Sequence, residues 1–256
     1  MILPSNLDAT LPVVCNTPVA DVLENVRYSS ALPIPWLRRG QVHDFPAVLV
    51  GGGPSVLPFL KSIEEIQQDG GLVFSMNGTR ALLHDAGIFP DYFVLADAQP
   101  DVARYVGPAA TSLISAQCDR AVFDAEPHGP VLWHPSFPGV SDIPAPIERL
   151  LIGGGSSVGL LAMSLAYVLG CRDMHLFGYD SSYDGPASHA YEHDSEPTET
   201  YTVGGRAFRA APWMARQAVE FQALATQLAD LGVTITVHGA GLLPAVAALM
   251  AVPTKH

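Results

Sequence analysis

Two aspartates, one histidine and a pair of glycine–serine turns carry most of the chemistry open to this chain. Asp97 and Asp180 each follow a short apolar run, as do Asn77 and the turns Gly51-Gly52-Gly53-Pro54-Ser55 and Gly153-Gly154-Gly155-Ser156-Ser157. Polar residues just after buried strands stand at strand carboxyl ends, where open parallel sheets bind ligands. A glycine turn that feeds a helix offers several backbone N–H groups, and the helix dipole adds partial positive charge, so each turn suits a phosphate or other anion. A carboxylate near such a phosphate can hold Mg²⁺, which takes oxygen ligands. His189 is the candidate general base, because an unperturbed imidazole titrates near neutrality.

Simpler readings stand beside these. A glycine triplet can be no more than a tight strand-to-helix turn. Asp97 can cap the turn that follows it, and Asp180 can bond backbone amides. His189 and His193 lie four apart, beside Glu192 and Asp194, a metal-pair spacing if they shared a helix; Pro186 and Pro197 bracket the segment and argue against one. His84, His128 and His134 show no partner pattern, and His175 reads as a core or edge histidine inside a strand. Arg38-Arg39 reads as a solvated surface pair, with Trp36 and Leu37 before it as a docking anchor.

Several known phosphate motifs are excluded. The dinucleotide fingerprint needs a third glycine where Val56 stands, and an acidic residue where the next strand ends in Asn77, so NAD is disfavoured. A P-loop needs Gly-Lys-Ser/Thr, and the turn has no lysine. The only lysines in the chain are Lys61 and Lys255, so a phosphate grip must come from amides, arginines, hydroxyls or a metal ion. A formal net charge of -12 argues against nucleic acid held on a basic surface.

The elements that must position these groups alternate. Strand-like runs fall at 47–50, 72–76, 92–96, 112–115, 131–133, 150–152, 174–177 and 233–237. Helical stretches fall at 57–68, 79–86, 158–169 and 213–231, the last carrying a core stripe of Trp213, Phe221, Leu224, Leu228 and Leu231. This alternation predicts an α/β fold: a Rossmann-like three-layer sandwich with a mostly parallel sheet, and a ligand crevice shared by the two turns at neighbouring strand tips. Residues 1–45 read as an irregular, proline-rich arm or cap with a short helix near Val19 to Val26; residues 46–256 read as the α/β domain. The polar stretch 181–211 reads as a lid-like insertion or an inert loop. Cys15, Cys118 and Cys171 have no paired spacing and are expected to be buried thiols. With no leader pattern and no apolar run of about 18 residues, the expectation is a soluble, cytoplasmic protein without a membrane span; self-association is left open.

An ordered set of motifs carries a resemblance: Val-Leu-Val-Gly-Gly-Gly-Pro-Ser (48–55), Met-Asn (76–77), Ala-Gly-Ile-Phe-Pro-Asp-Tyr (86–92), Asp97, Gly-Gly-Ser-Ser-Val-Gly (154–159), Tyr-Val-Leu-Gly-Cys (167–171), Leu-Phe-Gly-Tyr-Asp (176–180) and Ser-His-Ala (188–190). The chain resembles the MptE-like 6-hydroxymethylpterin diphosphokinase family over roughly residues 46 to 245. The resemblance implies transfer of diphosphate from ATP to a hydroxymethylpterin-like alcohol with Mg²⁺; many bacterial relatives serve surface-glycan and flagellin modification instead. On that reading the two glycine turns, including Pro54 and Ser55, hold the nucleotide's phosphates. Asp97, with Asp180, positions Mg²⁺, Asn77 orients ribose or base, and His189 accepts the proton of the acceptor, a pterin-like alcohol or a sugar.

A more distant similarity runs to CMP-sialic-acid-dependent sialyltransferases, through the glycine–Pro-Ser turn, Asn77 and the Ser156-Ser157 turn. It implies that Tyr183 or Tyr191 holds a leaving phosphate and His189 acts as base, although Asp97 stands where those enzymes favour Asn. Three functions follow as alternatives: a diphosphokinase-like transferase, a glycosyltransferase using a nucleotide sugar, and a non-catalytic nucleotide-binding protein.

Overall fold

The computed structural model describes residues 16–126, 129–144, 150–191, 198–250 and 252–255. Its first strand, β1 (Ala47–Val50), is buried at all four positions, as an apolar run without alternation requires of a strand covered on both faces. The chain continues through β2 (Leu72–Met76), β3 (Tyr92–Leu95), β4 (Thr111–Ser115), β5 (Val131–Pro135), β6 (Leu151–Ile152) and β7 (Asp173–Phe177). A hairpin, β8 (Glu199–Val203) and β9 (Arg206–Ala210), precedes β10 (Thr234–His238) and β11 (Thr254–Lys255). The main sheet has nine strands in the order β11-β10-β7-β1-β2-β3-β4-β5-β6, and every pairing in it is parallel.

Strand order decides where the site lies. From β1 the chain builds outward to β6, then returns through α5 (Val158–Leu169) to lay β7 on the other side of β1. The junction of β1 and β7 is therefore the topological switch point, where loops diverge and leave a crevice at the carboxyl ends. α5 is buried from Gly159 to Val168. It packs against β1, β2 and β3, in one core with Leu49, Phe74 and Val94 of those strands and with α6 (Pro212–Asp230) and α7 (Leu242–Leu249). On the opposite face Val48, Val50, Val73 and Phe177 pack with Ile63 of α2 (Leu60–Gln68) and Leu83 of α3 (Thr79–Asp85). Helices on both faces give three layers. Full burial of a large apolar side chain is worth about 1.5–3 kcal/mol, so this interleaved core sets where the strand ends sit.

Several local readings change. Helical turns begin at Pro54 rather than 57, but the first six residues are a 3-10 helix, Pro54–Phe59. Pro58 has no N–H to bond the carbonyl four residues back, so a full α-helix waits until Leu60. The arm's helix, α1 (Val19–Ser30), outlasts the expected Val26. Its last turn is held by the Ser29 hydroxyl, which donates to Ala116 O (2.7 Å), and its middle by the Asn25 amide, which donates to Gln117 O (3.0 Å). Beyond α1 the arm runs along β5: Leu37 N–H donates to Leu132 O (2.7 Å), and the Trp36 ring stacks on His134 at 3.9 Å. The part of the arm before Asn16 lies outside the described residues. α4 (Arg120–Ala125), α7 and the β8–β9 hairpin are additions to the expected elements. Cys118 and Cys171 are buried and form no disulfide among the described residues, while Cys15 lies outside them.

Candidate functional site

A cavity of about 500 Å³ opens at the carboxyl ends of the strands. It is lined by Gly51, Gly52, Gly53, Asn77, Asp97, Gly155, Ser156, Ser157, Asp180 and His189, so one space gathers ten of the residues singled out from the sequence. Pro54, Ser55, Gly154 and Tyr183 do not line it. Tyr183 sits toward the hairpin, its N–H donating to Arg209 O (2.8 Å) and its ring lying under the Arg209 guanidinium (5.1 Å). Tyr191, the other tyrosine of that segment, does line the cavity. The two turns do not stand at neighbouring strand tips: the first follows central β1, the second the edge strand β6. They meet because the second turn leads straight into α5, which crosses back over the sheet centre.

Both turns already hold an anion, and it is the protein's own. In the first, Ser55 donates its N–H to Asp180 Oδ2 (2.8 Å) and its hydroxyl to Oδ1. A side chain at Gly53 would lie 2.6 Å from Asp180 Cγ, which is why this approach needs glycine. Gly51 N–H and Gly53 N–H donate to Phe177 O and Gly178 O (both 2.8 Å), carrying the β1–β7 pairing past the strand ends. Of the three glycine amides, Gly52 N–H alone has no partner among the described residues. Asp180 is 4% exposed, and burial pushes its carboxyl up to about 6 despite the Ser55 hydrogen bonds, with Asp184 adding to the rise. In the second turn, Ser156 donates its N–H (2.8 Å) and its hydroxyl (2.6 Å) to Glu220 Oε2 of α6. Gly155, at φ +93°, leaves room for that oxygen, 2.6 Å from where a Cβ would be. Ser157 caps α5, accepting from Leu160 N–H (3.3 Å).

Asp97 is half-buried, with Oδ1 accepting from Gln99 N–H (3.0 Å). Burial raises its carboxyl above the usual range, the Gln99 amide opposes this, and Asp101 adds to it. His189 stands where the segment after β7 folds back on the first turn, tied by Ala190 N–H to Gly52 O (2.8 Å). Its Nδ1 is 3.0 Å from Ser188 Oγ, and its ring centroid is 5.1 Å from that of Tyr191. Side chains at Gly52 and Gly78 would meet His189 and Tyr191 at under 3 Å, so both glycines are seats for these rings. Burial, with Tyr105 nearby, raises the Tyr191 phenol. His175 is paired with His238 (3.0 Å) on the sheet, away from the cavity lining. The His193 side of the suggested metal pair lies outside the described residues.

Two further features concentrate at this space. Asn77 (φ 49°) and Ser181 (φ 50°) are the only non-glycine residues with left-handed backbone among those described, and both line the cavity. Such strain costs on the order of 1–3 kcal/mol and collects where function requires it. Asn77 Oδ1, Gln117 Oε1 and Ser181 Oγ, all on lining residues, are buried without hydrogen-bond partners among the described residues. Gln117, Tyr105, Trp213 and Arg216 were not singled out from the sequence as contributors.

A Mg²⁺ ion fits Asp97 better than Asp180. Asp97 is held only by backbone amides, Gln99 N–H at Oδ1 and Ala98 N–H close by, whereas both Asp180 oxygens are committed to Ser55. Among the described residues no group of three His, Cys, Asp or Glu side chains is placed to hold a metal alone.

A nine-stranded parallel sheet covered by helices on both faces, with its crevice at a switch point, defines an α/β protein of Rossmann-like class. The family model for 6-hydroxymethylpterin diphosphokinase MptE-like proteins matches residues 21–186, and the chain belongs to that family. A similar solved structure is the MAf glycosyltransferase from Magnetospirillum magneticum AMB-1: 19% identity and a TM-score of 0.71, over 90% of this chain and 38% of that one. That likeness establishes the shared fold, and the chain spans well under half of that protein. No curated protein matches the chain. Among the described residues no helix is long and apolar enough to cross a membrane.

Proposed function

We propose that the protein is a nucleotide-dependent transferase whose nucleotide lies across the β1–β7 switch point. The observation that supports this most is that both glycine turns, Asp97 and His189 line one cavity. Gly52 N–H meets no acceptor among the described residues and is the backbone donor for a phosphate oxygen. Asn77 and Gln117 supply polar groups for ribose or base. The lead reaction is diphosphoryl transfer from a nucleoside triphosphate such as ATP to a hydroxymethylpterin-like or sugar hydroxyl. The acceptor oxygen attacks the β-phosphorus, the bond to the bridging oxygen breaks, and AMP leaves with that oxygen; His189 takes the hydroxyl proton. Mg²⁺, held by Asp97 and the phosphates, would supply the charge neutralisation that this transfer needs.

A second reading is glycosyl transfer from a CMP- or other nucleotide sugar. One observation favours it: among the described residues Arg216 is the sole lysine or arginine in the cavity lining, which suits a donor with fewer charges than a triphosphate. His189 then deprotonates the acceptor while Tyr191 steadies the departing phosphate.

A thermal-shift panel of ATP, CTP, CMP and GTP, each with and without Mg²⁺, tests the common core. A rise in melting temperature with any of them is expected; none rising removes both readings. Release of AMP from ATP given hydroxymethylpterin, abolished by EDTA, selects the first reaction. Metal-independent binding of CMP selects the second.

A further inference from the structure

The two serine cradles look alike but differ in how firmly their carboxylates are held. Asp180 is 4% exposed, uses both oxygens on Ser55 and follows directly on β7. Glu220 is only half-buried and reaches Ser156 with Oε2 alone, at the end of a longer side chain on α6. Arg216, one turn earlier on α6, also lines the cavity and forms no ion pair among the described residues. Spacing of four residues puts that guanidinium within reach of Glu220 once the carboxylate leaves the turn. The same cavity holds Gln117, 3% exposed, and Ser181, 8% exposed, each with a side-chain oxygen that has no partner among the described residues. Those unmet groups belong to a site awaiting a ligand.

We infer that the Ser156 turn is a phosphate site closed by the chain's own Glu220, which an incoming phosphate displaces toward Arg216. This gate presupposes the nucleotide reading above and adds a selectivity device to it. Ser156 offers one N–H and one O–H to a single anionic oxygen, and a phosphate oxygen meets the same two donors that Glu220 Oε2 meets now. The site binds only what can outcompete a tethered carboxylate. A neutral ligand gains nothing by displacing it, and a weak anion fails to. Apparent affinity is then the intrinsic affinity multiplied by the fraction of molecules in which the turn is free of Glu220.

Calorimetric titration of inorganic pyrophosphate, ATP and CMP tests this on wild type, Glu220→Gln, Glu220→Asp and the double variant Glu220→Gln/Ser156→Ala. Gln removes the competing charge, and Asp keeps the charge but falls short of Ser156. Both single variants are expected to bind a phosphate-bearing probe about tenfold more tightly than wild type. The added Ser156→Ala is expected to cancel the gain. Thermal unfolding of each variant confirms that it is folded, and the Asp variant carries the test if the Gln variant is not. If wild type binds one of the probes and neither single variant binds it more tightly, the gate is overturned and the nucleotide reading stands. If no protein binds any probe, the nucleotide reading falls and the gate with it.

Discussion

Asp180 makes the protein's stability respond to pH with a sign opposite to that of an ordinary ion-paired aspartate. Its carboxyl is pushed up to about 6 from the ordinary 3.8, chiefly by burial. The folded state therefore holds this proton more tightly than the unfolded chain does. The stabilisation is complete below about pH 4 and is lost as pH rises through about 6. A shift of some two units corresponds to roughly 3 kcal/mol between those limits. Asp180→Asn removes the titration while keeping an acceptor for Ser55 N–H, and its amide can donate to the Ser55 hydroxyl oxygen. Urea unfolding of both proteins at pH 4.5, 5.5, 6.5 and 7.5 should show wild type losing about 2 kcal/mol relative to the variant across the series. For a chain of this size that is about 4–8 °C in relative melting temperature. Asp97, raised in the same direction, is present in both proteins and cancels in the difference. A gap that stays flat with pH, or widens in favour of wild type, would refute the account of a carboxylate whose burial outweighs its hydrogen bonds.

Other outcomes follow from the same geometry. Gly52→Ala places a methyl 2.7 Å from His189 Cδ2 and 2.9 Å from Tyr191 Oη, so the transfer rate is expected to fall about 100-fold, read as kcat, with little change in melting temperature. Asp97→Asn should leave nucleotide-induced thermal stabilisation the same with and without Mg²⁺, where wild type shows a difference. Ser181→Gly relieves left-handed backbone and deletes an unpartnered buried hydroxyl; a gain of about 0.5–1 kcal/mol in urea unfolding is expected. Trp36→Ala removes the stack on His134 and should cost roughly 2 kcal/mol by the same measurement, below the usual core value because the ring is only half-buried.

Most of the sheet was legible because its strands are apolar runs that only a doubly covered sheet accommodates. β8 and β9 escaped because they are short and largely exposed within a polar stretch, so that the alternation of Tyr201 and Val203, and of Phe208 and Ala210, with exposed neighbours is easily passed over. The signal that could have found them is Gly204-Gly205, whose φ values of 56° and 76° suit the tight turn of a hairpin. α7 hid in an apolar stretch containing Pro244, too short to show a helical stripe. In the site, residues directly after strands were readable from the α/β pattern alone. Glu220 was not, since a glutamate on an amphipathic helix looks like any solvated charge until its partner turn is seen. The turns themselves were readable as anion cradles, but nothing in their sequence tells that Asp180 and Glu220 sit in them.

The burial of α5 on every side has a consequence for motion. Its amides should rank among the slowest in hydrogen–deuterium exchange, opening only when the whole domain does. Ser156 and Ser157 are mounted at its leading end, so that half of the pocket behaves as a fixed anvil. On that side of the pocket, adjustment to a guest is left to the side chains of α6, a helix with one face in the core and the other in solvent, where Val219 is 65% exposed.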